Sequence, residues 1–188
     1  MPTTSLGFRY PASTSAVDVP TDIGNLAADI NTYATTVNTF ITRKDGVQVA
    51  SSISSSAAIG TTATAVLTLT NCLFQAGRAY SVENVGLVFG DAAGRLADFS
   101  VYKTSTGGTQ YVAFGRSWAG VGGQQTTCYS RAYLRRSAGT DLTTDIVLSV
   151  ASTGAGTVQH DAASTRPRAL IVRDVGTAAN YSYAFDVT

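Results

Sequence analysis

Charge is scarce in this sequence: 13% of its 188 residues are charged, and the formal net is +1. That balance excludes a general nucleic-acid binder and a polybasic protein of the membrane surface. Lysine is nearly absent, and there is a single histidine, a single tryptophan and a single methionine. With one histidine and two cysteines, a zinc site falls short of its usual ligands. Carboxylates are few and scattered, so nothing points to a glycosidase pair. Asp91 and Asp98 do not make an EF-hand loop, and the glycine-rich turns match neither a Walker A loop nor a dinucleotide fingerprint. No apolar run reaches the roughly 18 to 20 residues that span a bilayer. Residues Met1 to Tyr10 lack the basic-then-apolar pattern of a secretory leader. The expectation is a non-enzyme with no catalytic residue, no cofactor, no metal, no nucleic-acid partner and no membrane insertion.

What is abundant is glycine, serine, threonine and alanine, a composition that favours strands and turns. One segment departs from it. Ile23, Leu26, Ile30, Tyr33, Val37 and Phe40 recur at spacings of 3, 4, 3, 4 and 3, the a/d pattern of a coiled-coil seam. Pro20 suits the first helical turn, Asp22 complements the dipole there, and Arg43, Lys44 and Gly46 suit the end. The helix is weak on its own, because Gly24, Asn31, Thr32, Thr35, Thr36, Asn38 and Thr39 all have modest propensity. Its order therefore depends on burying the stripe. Isoleucine at positions 23 and 30, with Ala27 and Ala34 widening the seam, favours three chains; burial against the β-domain of the same chain is the alternative.

Around this helix the sequence divides into four parts. Residues 1–19 read as an extended attachment arm, with Leu6, Phe8 and Tyr10 alternating between prolines. Residues 20–44 form the oligomerisation helix, and 45–62 a linker with a short strand at Val47, Val49 and Ile53. From residue 63 the period changes to two, and strand candidates at 63–70, 79–89, 96–103, 109–115, 126–134, 143–150, 157–160, 168–174 and 180–187 are separated by glycine-rich turns. The predicted fold is mainly β: an arm and one amphipathic helix, followed by an antiparallel β-sandwich of jelly-roll type over 63–188. In the last strand, Tyr181, Tyr183, Phe185 and Val187 would share one face, and such an apolar end should be tied into a sheet or a subunit contact.

Several residues invite a chemical role. Tyr129, Arg131, Tyr133 and Arg135 fall on one face of a strand, and a Tyr/Arg ladder stacks on sugars or bases. It suits equally a solvated face whose tyrosines shield the sheet. Trp118, placed in a loop by the turn signals around it, is either a sugar platform or a loop anchor. The segment Gly115–Ala119 lacks the second glycine of a nucleophile elbow. His160 beside Asp161 reads as a surface or turn residue rather than a base. Arg166, Arg168 and Arg173 read as a solvated loop and a charge-protected edge strand. Cys72 and Cys128 sit in strand contexts as buried free thiols, or as one disulfide.

Phe8-Arg9-Tyr10-Pro11, Val19-Pro20-Thr21-Asp22-Ile23 and Leu26-Ala27-Ala28-Asp29-Ile30 resemble the N-terminal region of tail and fibre proteins from phages of actinobacteria. There a "YP" motif and a proline-led helix precede a variable β-rich domain. The resemblance covers roughly residues 6 to 42. It implies a structural virion protein, a homotrimer held to other virion proteins by its arm and helix, with the β-domain outward and able to touch a host-surface glycan. A capsid decoration protein or head fibre, and a carbohydrate-binding module using Trp118, Tyr129, Arg131 and Tyr133, are the alternatives.

Overall fold

The computed structural model describes residues 19–42, 46–92, 94–119 and 125–188; for Val19, Pro20, Asp22 and residues 35–42 it describes the backbone alone. The arm residues Leu6, Phe8 and Tyr10, the side chains of Val37 and Phe40, and the cations Arg43 and Lys44 lie outside the described residues. The chain forms two compact units, divided between Asp45 and Gly46.

The first unit contains one helix, α1, Val19–Thr42. Its four described seam residues, Ile23, Leu26, Ile30 and Tyr33, remain between 45% and 62% exposed. The Thr32 hydroxyl donates to the Ala28 carbonyl at 2.9 Å. This back-bonding to the preceding turn is how a mid-helix threonine competes with the backbone ladder.

The second unit is a β-sandwich of ten strands: β1 Val47–Ser52, β2 Thr64–Phe74, β3 Arg78–Gly90, β4 Leu96–Lys103, β5 Gln110–Trp118, β6 Thr126–Arg136, β7 Leu142–Ser152, β8 Val158–Asp161, β9 Arg168–Thr177 and β10 Phe185–Asp186. One sheet runs β1-β9-β3-β6-β10, with β8 also on β3; the other runs β2-β7-β4-β5. All pairings are antiparallel except β10 on β6. Alternation puts one face of each strand into the core. Phe74, Val82, Phe99, Val101, Leu134, Ile146, Leu148, Val150, Leu170 and Val172 are fully buried there. Since β1 pairs with β9 over its whole length, that short strand belongs to the sandwich rather than to a linker.

β2 illustrates how local chemistry keeps the register. Leu67 and Leu69 face inward, and so do Cys72 and Phe74, which is a change of parity. A bulge between Leu69 and Cys72 absorbs the extra residue. Asn71 takes the left-handed conformation there, φ 53°, with its amide donating to Asp145 Oδ1 at 2.8 Å. Asparagine tolerates that conformation better than most residues with a side chain.

The end of the sequence departs from the expected strand. Residues Ala178–Tyr181 form a 3-10 turn, and only Phe185–Asp186 join a sheet. Tyr181, Tyr183, Phe185 and Val187 therefore do not share one face. Val187 is fully buried while Tyr183 is 72% exposed. The segment is still tied in, because the Val187 amide donates to the Arg135 carbonyl at 2.8 Å and Arg136 Nη1 donates to the Val187 carbonyl at 2.7 Å. Asn180 and Ser182 around Tyr181 are turn formers that interrupt the period of two.

Candidate binding face

The register across β9, β3 and β6 generates one outward face. Ile171, Glu83 and Arg131 stand in one row, Arg173, Ser81 and Tyr133 in the next, and Ala169, Val85 and Tyr129 in a third. Glu83 is nearly buried between arginines from both neighbouring strands, with Arg131 Nε at 3.3 Å and Arg173 Nε at 3.7 Å from its Oε1. The Ser81 hydroxyl also donates to that oxygen at 3.2 Å. Both ion pairs are longer than a charge-assisted hydrogen bond, so the carboxylate draws the two guanidinium groups together across the face. Arg131 then lies over the Tyr133 ring, with Cζ 5.4 Å from the centroid, in range for a cation–π contact.

The turn before β10 extends this aromatic surface. Tyr181 packs against Tyr133 with centroids 5.3 Å apart, and Tyr183 meets Tyr133 edge-on at 5.9 Å. Further along the face, Tyr129 is 58% exposed. Tyr129, Arg131 and Tyr133 thus share a face with Tyr181 and Tyr183, two residues that reading the last segment as a strand separates from the ladder. Trp118 does not join them. It ends β5 in the other sheet, as a strand residue rather than a loop residue, and is 65% exposed. Its neighbour Ser117 points inward to Cys128 Sγ at 3.3 Å, which turns the tryptophan outward.

The inner side of the same sheet holds a buried polar cluster around Gly86. A Cβ at Gly86 would meet His160 Nε2 at 2.3 Å and Arg168 Cβ at 3.2 Å. His160 is therefore a buried strand residue, not a surface or turn residue, and it stacks edge-on to Phe99 at 5.2 Å. Burial, then the nearby Arg168 cation, hold its pKa down at about 4. Asp161, the next residue in β8, faces the other way: its carboxylate accepts from Ser55, Gln125 and the Ala162 amide. No His–Asp dyad exists. Arg168 is also buried and β9 lies between β1 and β3, so neither the solvated-loop nor the edge-strand reading holds for it. Arg173, on the same strand, is half exposed but ion-paired with Glu83.

Cys72 and Cys128 are both free and buried. Burial pushes the Cys72 thiol up to about 12 and also raises that of Cys128. A thiol of that kind is a poor nucleophile, because the thiolate is the reacting form. Asn84 Nδ2 donates to Cys128 Sγ at 3.3 Å, which favours the thiolate but is outweighed by burial. Among the described residues no three His, Cys, Asp or Glu side chains are grouped to hold a metal ion, and no described helix is long and apolar enough to cross a membrane. The chemistry this arrangement offers is stacking, cation–π contact and hydrogen bonding from a preorganised sheet face.

No protein-family profile matches the chain, and no characterised protein matches it in sequence. Among solved structures, it is similar to chains in the structure of the Gt strain of infectious bursal disease virus, at 14% identity and a TM-score of 0.45, covering 74% of this chain and 35% of that one. The VP2 subviral particle of the same virus gives 14% identity and a TM-score of 0.44, with 74% and 34% covered. The chain thus spans about a third of the length of these viral chains.

Proposed function

We propose that the chain is a non-enzymatic structural protein of a phage virion, a homotrimer joined through α1, with its sandwich displayed outward. The observation that carries this reading is the exposed seam of α1. Four large apolar residues at heptad spacing lie on a helix whose threonines, asparagines and glycine do not sustain it alone. Association of copies removes that surface from water, each large side chain contributing about 1.5–3 kcal/mol when fully buried. The resemblance of residues 6–42 to phage tail and fibre proteins supports a tail or fibre component bound to other virion proteins. A capsid decoration role uses the same joint and differs in copy number per particle.

Light scattering of the full chain should return a mass near three times 19.5 kDa, and Ile30→Asp should shift it to the monomer while the sandwich keeps its near-ultraviolet spectrum. A monomeric wild type would sink the trimer. Imaging of the intact particle then separates tail from capsid.

The outward face favours a second activity within the same role, contact with a host-surface glycan through Tyr129, Arg131, Tyr133 and Tyr183. Exposed rings beside an ion-paired guanidinium suit sugar stacking. A glycan screen with wild type and Tyr129→Ala/Tyr183→Ala checks it; unchanged binding in the double variant removes these residues as a site. Trp118 stands on the other sheet and would serve a separate contact.

A further inference from the structure

The gap that Gly86 spans is also the floor of a cavity on the outward face. β3 is paired along one edge with two strands in succession, β9 at residues 78–85 and β8 at residues 87–90. Between them the chain leaves the sheet and returns through a tight turn, closed by reciprocal backbone bonds between Ala163 and Arg166 at 3.0 and 2.9 Å. On the inner side His160 fills the space beneath Gly86. On the outward side an open cavity of about 380 Å³ remains, lined by Val85, Leu87, Ala169 and Ile171, with Thr127 and Arg166 as the residues of polar type in its wall. That volume lies within the range of small-molecule sites.

We propose that this cavity binds a single-chain apolar carboxylate, its chain on Val85, Leu87, Ala169 and Ile171 and its anionic end at Arg166. The lining selects against a sugar. One threonine hydroxyl and one guanidinium cannot replace the hydrogen bonds that several hydroxyls lose on burial, and unpaired polar groups are costly. Arg166 supplies the charge complementarity. Among the described residues it is the one arginine whose side chain meets neither a carboxylate nor a carbonyl: Arg78, Arg95, Arg116, Arg131, Arg135 and Arg173 have carboxylate partners, and Arg136 and Arg168 donate to carbonyls. The turn that bonds Arg166 to Ala163 sets the base of this exposed side chain at the cavity wall, within reach of an anion seated there. The site is independent of the assembly through α1, and either can fail without the other.

Calorimetric titration of the full chain with sodium decanoate, below its micelle-forming concentration, and with decanol as the neutral analogue tests the assignment. One saturable decanoate site per chain is expected, with methyl NMR shifts confined to Val85, Leu87, Thr127, Ala169 and Ile171. Arg166→Gln, an exposed change, should weaken decanoate by roughly three- to tenfold and leave decanol unaltered. Ala169→Phe should fill the cavity and abolish both; if that variant does not fold, Arg166→Gln and the methyl shifts decide. Absence of saturable decanoate binding would overturn the proposal. So would methyl shifts at Ile23 and Ile30 of α1 in place of the cavity, or equal decanoate affinity in wild type and Arg166→Gln.

Discussion

At the scale of single residues, Gly86 and His160 form one of the tightest contacts in the sandwich. Both imidazole nitrogens are buried without a partner at good hydrogen-bond geometry, so the site favours the neutral ring. The groups facing it are the Arg168 cation from β9, which disfavours a second positive charge, and the Val85 backbone of β3 and Asp161 on its own strand, which favour one. With a folded pKa near 4 and an unfolded value of 6.5, the unfolded chain binds the extra proton first. Stability is therefore full above pH 6.5 and falls as pH drops towards 4. The gap corresponds to a loss of about 3 kcal/mol. Urea titrations at pH 7.5, 5.5 and 4.5 should show this slope, and His160→Phe should flatten it over that window; an unchanged slope in the variant would assign the acid sensitivity elsewhere. Gly86→Ala places a methyl against the same ring and should cost about 1–3 kcal/mol, the usual penalty of overpacking. A lowered urea midpoint at constant slope is the expected reading.

At the scale of elements, the two-residue strand β10 shows how little pairing holds a segment when its side chains are well placed. Phe185 and Asp186 make only a short parallel ladder with Leu134 and Arg135. The segment is fixed instead by the buried Val187, the Arg136–carbonyl bond, and an ion pair of Asp186 with Arg135 at 3.4 Å. The Ser137 hydroxyl and amide donate to the same aspartate, which lowers its pKa despite partial burial. Val187→Ala should cost about 2 kcal/mol through lost burial and cavity formation, read as a fall in Tm. Removal of residues 181–188 should cost more and strip Tyr181 and Tyr183 from the aromatic face. Retention of the wild-type Tm in the truncated chain would show that this segment does not brace β6. For α1, the proposed trimer predicts a helix that loses circular-dichroism signal on dilution.

For the whole molecule, much of the architecture was legible in sequence because its determinants are local. The period of two in β3, β4, β6 and β7, and the glycine-rich punctuation between strands, follow from steric rules that act within a few residues. The seam of α1 is likewise a spacing. The sequence also separated the two faces of β6, placing Cys128 and Leu134 opposite Tyr129, Arg131 and Tyr133. What lay beyond it were relations between residues far apart in the chain. His160 looked like a turn residue because nothing local shows that Phe99, Arg168 and a glycine in β3 enclose it. Trp118 looked like a loop residue because a strand ending beside glycines has no local mark. Tyr181 and Tyr183 joined the ladder only because β10 returns to β6. Composition and periodicity by themselves determined the β-rich class, the strands up to β9 and the helix, since each depends on backbone sterics and local hydrophobic pattern. Tertiary structure alone decided that Arg166 borders a cavity, that Glu83 pairs with two arginines, and that one histidine resists protonation, because burial and charge proximity are properties of the packed sheets and not of any segment within them.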